Sequence, residues 1–338
     1  MDSSSAASSS STTPSHQTRP SAQLGRVMYT NAVYFHNGHI ARGETPAKLD
    51  YACINLVYYA YASIAPDGIV NQHRHLKAVL SIGGPSASGT FASIASNPTT
   101  RHNFALTAAG LVAASGLDGV DIAWDVPADP VQGRNFVALA QAVRSKLQDN
   151  RLLLTAALPA NAAVLQHIDL ETAGQTLDFI NLQSYNLHYA QPGRSLCPSQ
   201  LYSMAKDEPS TSSAAGYLVS RNFPSQSILL GIPTFGTSFP GCEGPGQAYE
   251  TASSQSIDYL QLPMAGRQEG VDRRRIAAYC TGGEEGFIAY DSPDTVKEKA
   301  DFCKQKGFGG LFYSDASTDT KERSRSLIMA GFATLHSS

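Results

Sequence analysis

Short runs of apolar residues recur along the chain, and stretches with helical spacing separate them. These runs predict eight strands, which are Asn31–Phe35, Cys53–Ala62, Lys77–Ile82, Gly119–Trp124, Arg151–Leu158, Leu177–Tyr185, Ser227–Phe235 and Gly309–Ser314. Most of the runs are continuous and do not alternate with polar residues. Continuous runs are typical of strands that are covered on both faces, as in a parallel sheet.

The intervening stretches predict five helices, which are Thr100–Ser115, Arg134–Gln148, Ser212–Asn222, Pro293–Lys306 and Lys321–Leu335. Ser292-Pro293 is a typical helix start, and Gly116 and Gly307 are typical helix stops. Strands alternating with helices over about 300 residues predict an α/β fold, the (β/α)8 TIM barrel. The alternative is an open doubly wound sheet, but no Gly-rich phosphate loop follows the first strand.

The composition of the N-terminus, the net charge and the length of the apolar runs bear on the domain organisation, the partners and the location of the protein. Residues 1–24 are rich in Ser and Thr, so we expect a disordered tail before a barrel domain over residues 25–338. The net charge of −3 gives no indication of a nucleic-acid or membrane partner. No apolar run is long enough for a membrane span or a secretory signal, which favours a cytoplasmic protein.

Neither the cysteines nor the histidines indicate a metal or another cofactor. The five cysteines are widely spaced, at Cys53, Cys197, Cys242, Cys280 and Cys303. No CxxC pair occurs, and the odd number favours reduced thiols over a disulfide framework. The pairs His36/His39 and His73/His75 lack an accompanying acid or cysteine pattern, so we interpret them as surface or internally satisfied histidines.

Candidate chemistry collects where the predicted strands end, because barrel active sites form at the carboxyl ends of the strands. The fourth strand lies in the segment LDGVDIAWDVP, and alternation places Asp121, Ala123 and Asp125 on the side of the barrel axis. Gln183, Tyr185 and Asn186 close the sixth strand, Thr234 and Thr237 follow the seventh, and Ser314 and Asp315 close the eighth. Asp118 and Asp121 are also open to interpretation as structural acids that satisfy buried donors.

Five motifs in order give the chain a recognisable resemblance. LDGVDIAWDVP resembles the DGxDxDxE signature of glycoside hydrolase family 18, the chitinases, and KAVLSIGG resembles the SxGG motif of that family. FINLQSYNL, LLGIPTFGTSF and GFGGLFYS resemble the motifs of its sixth, seventh and eighth strands. The resemblance implies a barrel in which a Glu protonates the glycosidic oxygen while the N-acetyl group of the substrate attacks the anomeric carbon.

The sequence departs from this family pattern at the positions that carry the chemistry. Asp125 stands at the position of the proton-donor Glu, and Ala123 stands at the position of the acid that orients the acetamide. Gly38 and Ser314 stand where the resemblance leads us to expect the tryptophans that hold the sugar. The Glu-to-Asp change shortens the reach by roughly 1.5 Å, and a displacement near 1 Å can cost about a hundredfold in rate.

Carried over residue by residue, the resemblance gives three sets of candidate residues. The expected catalytic residues are Asp125, Asp121 and Tyr185. The expected substrate-binding residues are Gln183, Asn186, Tyr61, Ser314, Phe235 and Trp124, although Trp124 could instead point into the barrel wall. The expected structural residues of the motifs are Asp118, Ser81, Gly83 and Gly84.

Three hypotheses on function follow. The first is a repurposed enzyme of specialised metabolism, in which Asp125 acts as general acid or base on a small molecule other than chitin. The second is an inactive glycan-binding protein, and the third is a weak or altered glycosidase that uses Asp125 as its acid. Between the seventh and eighth strands we expect at most a reduced insertion, over about residues 240–285, that consists largely of loop.

Overall fold

The computed structural model describes residues 28–60, 76–84, 87–124, 127–149 and 151–337. The predicted N-terminal tail, Tyr61, the His73/His75 pair and Asp125 lie outside the described residues.

Eight parallel strands close into a barrel, as predicted. They are β1 (Thr30–His36), β2 (Leu56–Ala60), β3 (Lys77–Gly83), β4 (Gly119–Ala123), β5 (Leu153–Pro159), β6 (Phe179–Gln183), β7 (Ile228–Ile232) and β13 (Gly310–Tyr313). Every one of these strands pairs with its sequence neighbour in the barrel, and β13 closes the circle by pairing with β1 and β7. The prediction of a TIM barrel is therefore confirmed.

Eight helices lie in the described part of the chain. They are α1 (Ser88–Ser96), α2 (Pro98–Ser115), α3 (Pro130–Lys146), α4 (Ala162–Leu165), α5 (Leu170–Thr176), α6 (Thr211–Ser220), α7 (Pro293–Lys306) and α8 (Leu327–His336). The start of α7 follows the predicted signals, since Ser292 and Thr295 form a capping box and Pro293 occupies the first turn. Gly116 and Gly307 end α2 and α7 in the left-handed conformation that glycine adopts without strain.

The last helix begins later than the sequence predicts. The predicted helix starts at Lys321, whereas α8 starts at Leu327. The carboxylate of Asp319 accepts hydrogen bonds from the main-chain amides of Leu327 and Ile328, and the Ser326 hydroxyl accepts one from Met329. These acceptors satisfy the first free amides of α8, so they fix its start after the charged segment 321–325.

The largest difference from the prediction lies between β7 and α7. The chain forms a five-stranded antiparallel sheet there, from strands β8 (Phe235–Phe239), β9 (Gln255–Asp258), β10 (Gly270–Asp272), β11 (Ala277–Cys280) and β12 (Phe287–Tyr290). The expectation of a largely loop insertion is therefore wrong. The edge strands β9 and β10 are short and have no fully buried residue. Buried side chains of the other strands, such as Phe239 and Phe287, pack with Cys197, which lies outside the sheet.

Two apolar layers position the site. The larger lies between the outer faces of the barrel strands and the surrounding helices. The smaller fills the inside of the barrel with side chains that include Tyr34, Tyr58, Leu229 and Phe312. Because side chains alternate along a strand, each barrel strand presents residues to both sides, and β4 presents the polar Asp121 to the interior.

Candidate functional site

Three polar side chains lie side by side inside the barrel because strand register places them at one level. Asp121 of β4 is the register partner of Ser81 on β3 and of Thr155 on β5. Ser81 donates a hydrogen bond of 2.7 Å to Oδ2 of Asp121, and Thr155 donates one of 2.7 Å to Oδ1. The carboxylate of Asp121 is fully buried. The hydroxyl groups of the neighbouring strands therefore replace water as hydrogen-bond donors to this carboxylate.

Two tyrosines and an asparagine complete this buried network. Tyr34 donates to Oδ2 of Asp121 at 2.9 Å, and Asn181 donates to the Tyr34 hydroxyl at 2.8 Å. Tyr58 donates to Oδ1 of Asn181 at 3.1 Å, and its ring stacks on that of Tyr34 with the centroids 4.6 Å apart. Burial and the negative charge of Asp121 raise the pKa of Tyr58, so its phenol stays a donor.

Ala123 occupies the next position towards the barrel mouth on the same side of β4. It is 1% exposed and is the register partner of Gly83. Gly83 has a φ of 121°, and a Cβ there would lie 2.4 Å from the carbonyl oxygen of Ala123. The backbones of the two strands therefore approach closely at this level, and the only inward-facing side chain on β4 above Asp121 is the methyl group of Ala123.

Trp124 lies in the barrel wall and faces away from the interior. Its side chain is fully buried, its ring stacks on Phe91 with the centroids 5.5 Å apart, and it also packs against Phe136. The expectation that Trp124 contacts a substrate is therefore corrected. Alternation explains the result, because Asp121 and Ala123 face inwards and the next residue must face outwards.

Asp118 has a structural role at the opposite end of β4. Its carboxylate accepts a hydrogen bond from the main-chain amide of Ala78 at 2.9 Å and forms an ion pair of 2.7 Å with Lys77. It precedes β4, so it lies at the amino ends of the barrel strands and not at the mouth. Asp118 is therefore a structural acid that binds main-chain and side-chain donors of β3.

Aromatic side chains and an amide line the mouth at the end of β6. The ring of Tyr185 contacts Phe235 and Phe312, with centroid distances of 5.9 Å and 6.1 Å, and Tyr185 and Phe235 are partly exposed. Gln183 ends β6 and is also partly exposed, and Asn186 adopts a left-handed φ of 57°. These predicted site residues therefore lie together at one side of the mouth.

The hydroxyl of Ser314 is engaged within the protein. Its Oγ accepts from the main-chain amide of Thr234 and lies 3.0 Å from Oγ1 of the same residue. Because Thr234 Oγ1 donates its one proton to the carbonyl oxygen of Asp315, Ser314 is the donor in the contact between the two hydroxyls. What Ser314 contributes to the mouth is mainly the space left by its small side chain.

Two histidines and an acid meet at the rim between β1 and β13. Nε2 of His39 lies 2.7 Å from Oδ2 of Asp315, and Nε2 of His36 lies 4.0 Å from the same oxygen. Sequence reasoning treated His36 and His39 as unsupported because Asp315 is 276 positions from His39. The available signal was that His36 directly follows the first predicted strand and Asp315 the last, since these two strands must pair in a closed barrel.

The cysteines and the metal-ligating side chains of the described residues do not form a second centre. All five cysteines are free and buried, and burial raises the pKa of the Cys53, Cys197 and Cys303 thiols to about 12. Among the described residues, no three or more His, Cys, Asp or Glu side chains are arranged to hold a metal ion. None of the helices in those residues combines the length and apolarity needed to cross a membrane.

A closed parallel barrel with a buried carboxylate on its fourth strand and polar groups at its carboxyl edge defines a protein of the TIM-barrel class. The model of "Glycosyl hydrolases family 18" matches residues 7–319, and the chain belongs to this family. Endochitinase 1 of Metarhizium robertsii is 30% identical over 89% of this chain and 76% of its own length.

Solved structures show the same fold. A class V chitinase mutant from Nicotiana tobaccum in complex with NAG4 superposes with a TM-score of 0.81 at 19% identity, covering 92% of this chain and 99% of that one. The chitinase-like agglutinin RobpsCRA from Robinia pseudoacacia gives a TM-score of 0.78 at 19% identity, covering 90% and 99%. Proteins described as enzymes and as agglutinins therefore share this barrel.

Proposed function

We propose that this protein is a repurposed member of the family, an enzyme that acts on a small molecule other than chitin. The observation that carries the proposal is the methyl group of Ala123, which stands directly above the buried Asp121 on β4. An acid at this level would stabilise the positive charge that develops on a sugar during hydrolysis. Electrostatic contributions of this kind are worth roughly 3 kcal/mol. The chain provides no carboxylate at that position.

The walls of the mouth support the same proposal. Trp124 is the one tryptophan in the chain, and its ring is buried in the barrel wall. Gly38 and Ser314 have no aromatic face to offer at the two positions where the family resemblance implies tryptophan. Tryptophan offers the largest flat apolar face to a sugar ring, so a mouth whose rings are only those of Tyr185, Phe235 and Phe312 binds an oligosaccharide less well.

In this proposal Asp125 is the general acid or base, and Tyr185, Gln183 and Asn186 orient the ligand by hydrogen bonds. Tyr185 and Gln183 lie at the carboxyl end of β6, on the side of the mouth where Phe235 adds an apolar surface. The pocket would suit a compact, partly aromatic ligand of specialised metabolism. Asp121 acts below the ligand, as the buried acceptor that holds Tyr34 and Ser81.

A glycan-binding protein without activity is the second candidate, and one observation favours it. The barrel superposes on the chitinase-like agglutinin RobpsCRA, so the scaffold occurs in proteins described as agglutinins. A weak or altered glycosidase that uses Asp125 as its acid is the third candidate. These two candidates require an oligosaccharide in the mouth, whereas the repurposed enzyme does not.

The test uses tetra-N-acetylchitotetraose as the probe. Binding is measured by calorimetry and hydrolysis by mass spectrometry for the wild type, for Ala123→Asp combined with Asp125→Glu, and for Ala123→Ser as the uncharged control. We expect neither binding in the micromolar range nor hydrolysis in any of the three. Hydrolysis by the wild type would establish the glycosidase, and micromolar binding without hydrolysis would establish the binding protein.

The double variant separates the effect of the missing acidic groups from the effect of the shape of the groove. If it hydrolyses the tetramer, the rest of the groove is still shaped for a sugar, which contradicts repurposing. The control Ala123→Ser shows whether any effect comes from the carboxylate and not from a larger side chain at this closely packed position.

A further inference from the structure

The rim between β1 and β13 carries an acid–histidine pair that takes no part in the buried hydrogen-bond network around Asp121. His39 follows β1 in a short 3-10 turn, and its Nε2 lies 2.7 Å from Oδ2 of Asp315. The two side chains are 20% and 14% exposed, so they are partly shielded but open to a small molecule. His36, the last residue of β1, lies 4.0 Å from the same carboxylate oxygen.

Asp315 is held firmly in place. Its other carboxylate oxygen accepts a hydrogen bond of 2.8 Å from the main-chain amide of Ser317. Its own main-chain amide donates to Thr234 Oγ1, and its carbonyl oxygen accepts from the same hydroxyl. A carboxylate with so many fixed contacts is part of the framework, and the histidine that bonds to it is oriented with it.

The identity of the acceptors fixes where the proton of His39 lies. The carboxylate of Asp315 can only accept, so Nε2 of His39 is the protonated nitrogen in this hydrogen bond. In the neutral ring the lone pair is then on Nδ1, for which the described residues provide no hydrogen-bond partner. A carboxylate that orients a histidine and stabilises its protonated form is the arrangement that makes histidine an effective base.

Open space adjoins the pair. Gly38 lies between the two histidines in sequence, and a Cβ added there would meet no atom of the described residues within 4 Å. Ser314 directly precedes Asp315, and it also has a small side chain. The two positions at which the family resemblance implies tryptophan therefore both border this pair, and their small side chains leave it accessible.

We propose that His39 and Asp315 form a proton-accepting pair for the ligand in the barrel mouth. The suited ligand carries a weakly acidic proton, on a phenol or enol hydroxyl or on a carbon next to a carbonyl. The bond from that proton to the ligand breaks and leaves its electron pair on the ligand, while the Nδ1–H bond forms on His39. The Nε2–H group of the imidazolium keeps its hydrogen bond to the carboxylate of Asp315. The ligand's presence in the mouth rests on the proposed function, but the activation of His39 does not.

Diethyl pyrocarbonate tests the activation directly, because an unprotonated imidazole nitrogen attacks its carbonyl carbon. The new bond joins nitrogen to that carbon, and ethyl carbonate leaves and decomposes to carbon dioxide and ethanol. Peptide mapping gives the rate at each histidine in the full-length protein at neutral pH. We expect His39 to react several-fold faster than the exposed His102 of α2, and Asp315→Asn to abolish the difference.

Two controls keep the result decisive. Asp149→Asn changes a carboxylate that precedes β5, at the other end of the barrel, and should leave the rate at His39 unchanged. Long-range 15N NMR should show one fixed Nε2–H form of His39 in the wild type and a mixture in Asp315→Asn. Equal rates at His39 and His102, or no effect of Asp315→Asn, would overturn the proposal. Oligosaccharide hydrolysis by the wild type would instead overturn the proposed function and leave this result standing.

Discussion

Replacing His188 should remove part of the acid sensitivity of this protein. His188 follows β6, is 2% exposed, and packs between the rings of Tyr189 and Phe239. Its Nδ1 atom has no hydrogen-bond partner among the described residues. Burial lowers the pKa of His188 from 6.5 to about 4, because a charged imidazole loses most of its hydration in this apolar site.

The direction and size of the effect follow from proton binding. Below pH 6.5 the unfolded chain takes up a proton that the folded chain does not, so stability is lost as the pH falls from 6.5 towards about 4. The loss is about 2 kcal/mol at pH 5 and about 3 kcal/mol when complete. At pH 7.5 the contribution is absent, since both states are then neutral at this residue.

Urea unfolding of the wild type and His188→Phe at pH 7.5 and pH 5.0 measures this directly. Phenylalanine keeps a flat ring in the same apolar site and cannot titrate. The wild type should lose about 2 kcal/mol more than the variant between the two pH values, and His102→Asn on the surface of α2 should behave as the wild type. If His188→Phe shows the same pH dependence as the wild type, His188 is not buried in its neutral form as argued.

Three further predictions concern the buried ion pair, the rim and the interior network. Lys299→Met should lower the free energy of unfolding in urea by about 3–5 kcal/mol, because the buried carboxylate of Asp291 loses the ammonium group that lies 2.6 Å from it. Adding Asp291→Asn should recover part of this loss. No recovery would show that the two side chains do not interact. Gly38→Trp should change the free energy of unfolding by less than about 0.5 kcal/mol, because a Cβ at this position meets none of the described atoms within 4 Å. A large loss of Tm would show that the rim is closed. Tyr34→Phe should lower the free energy of unfolding by about 1–3 kcal/mol, because the carboxylate of Asp121 loses a buried hydrogen-bond donor. An unchanged urea midpoint would mean that another group donates to this carboxylate in its place.

Much of the barrel could be predicted because its signals are local. The apolar run that became β4 and the cap residues of α7 depend only on their immediate neighbours in sequence. The strands β9 and β10 gave no such signal, since Gln255–Asp258 and Gly270–Asp272 are short and partly polar. They form strands because β8 and β11 offer them free edges, a condition that sequence periodicity does not report.

The site was predictable in part for the same reason. Alternation along β4 correctly places Asp121 inside the barrel, and it also explains why Trp124 faces the helices. The pairing of His39 with Asp315 depends on the closure of the barrel, which brings together residues from the two ends of the domain. A search for short spacings between histidines and acids could not find it.

The retained acid signature is weak evidence for retained chemistry, and the structure gives the reason. Asp121 is buried and accepts hydrogen bonds from Ser81, Thr155 and Tyr34, so replacing it would leave several buried donors without an acceptor. The barrel needs this carboxylate for stability whether or not a reaction takes place above it. The function must therefore be inferred from the layer above, where Ala123 has no charge and the rim carries His39 and Asp315. A scaffold can keep its buried polar layer and change its chemistry one level higher.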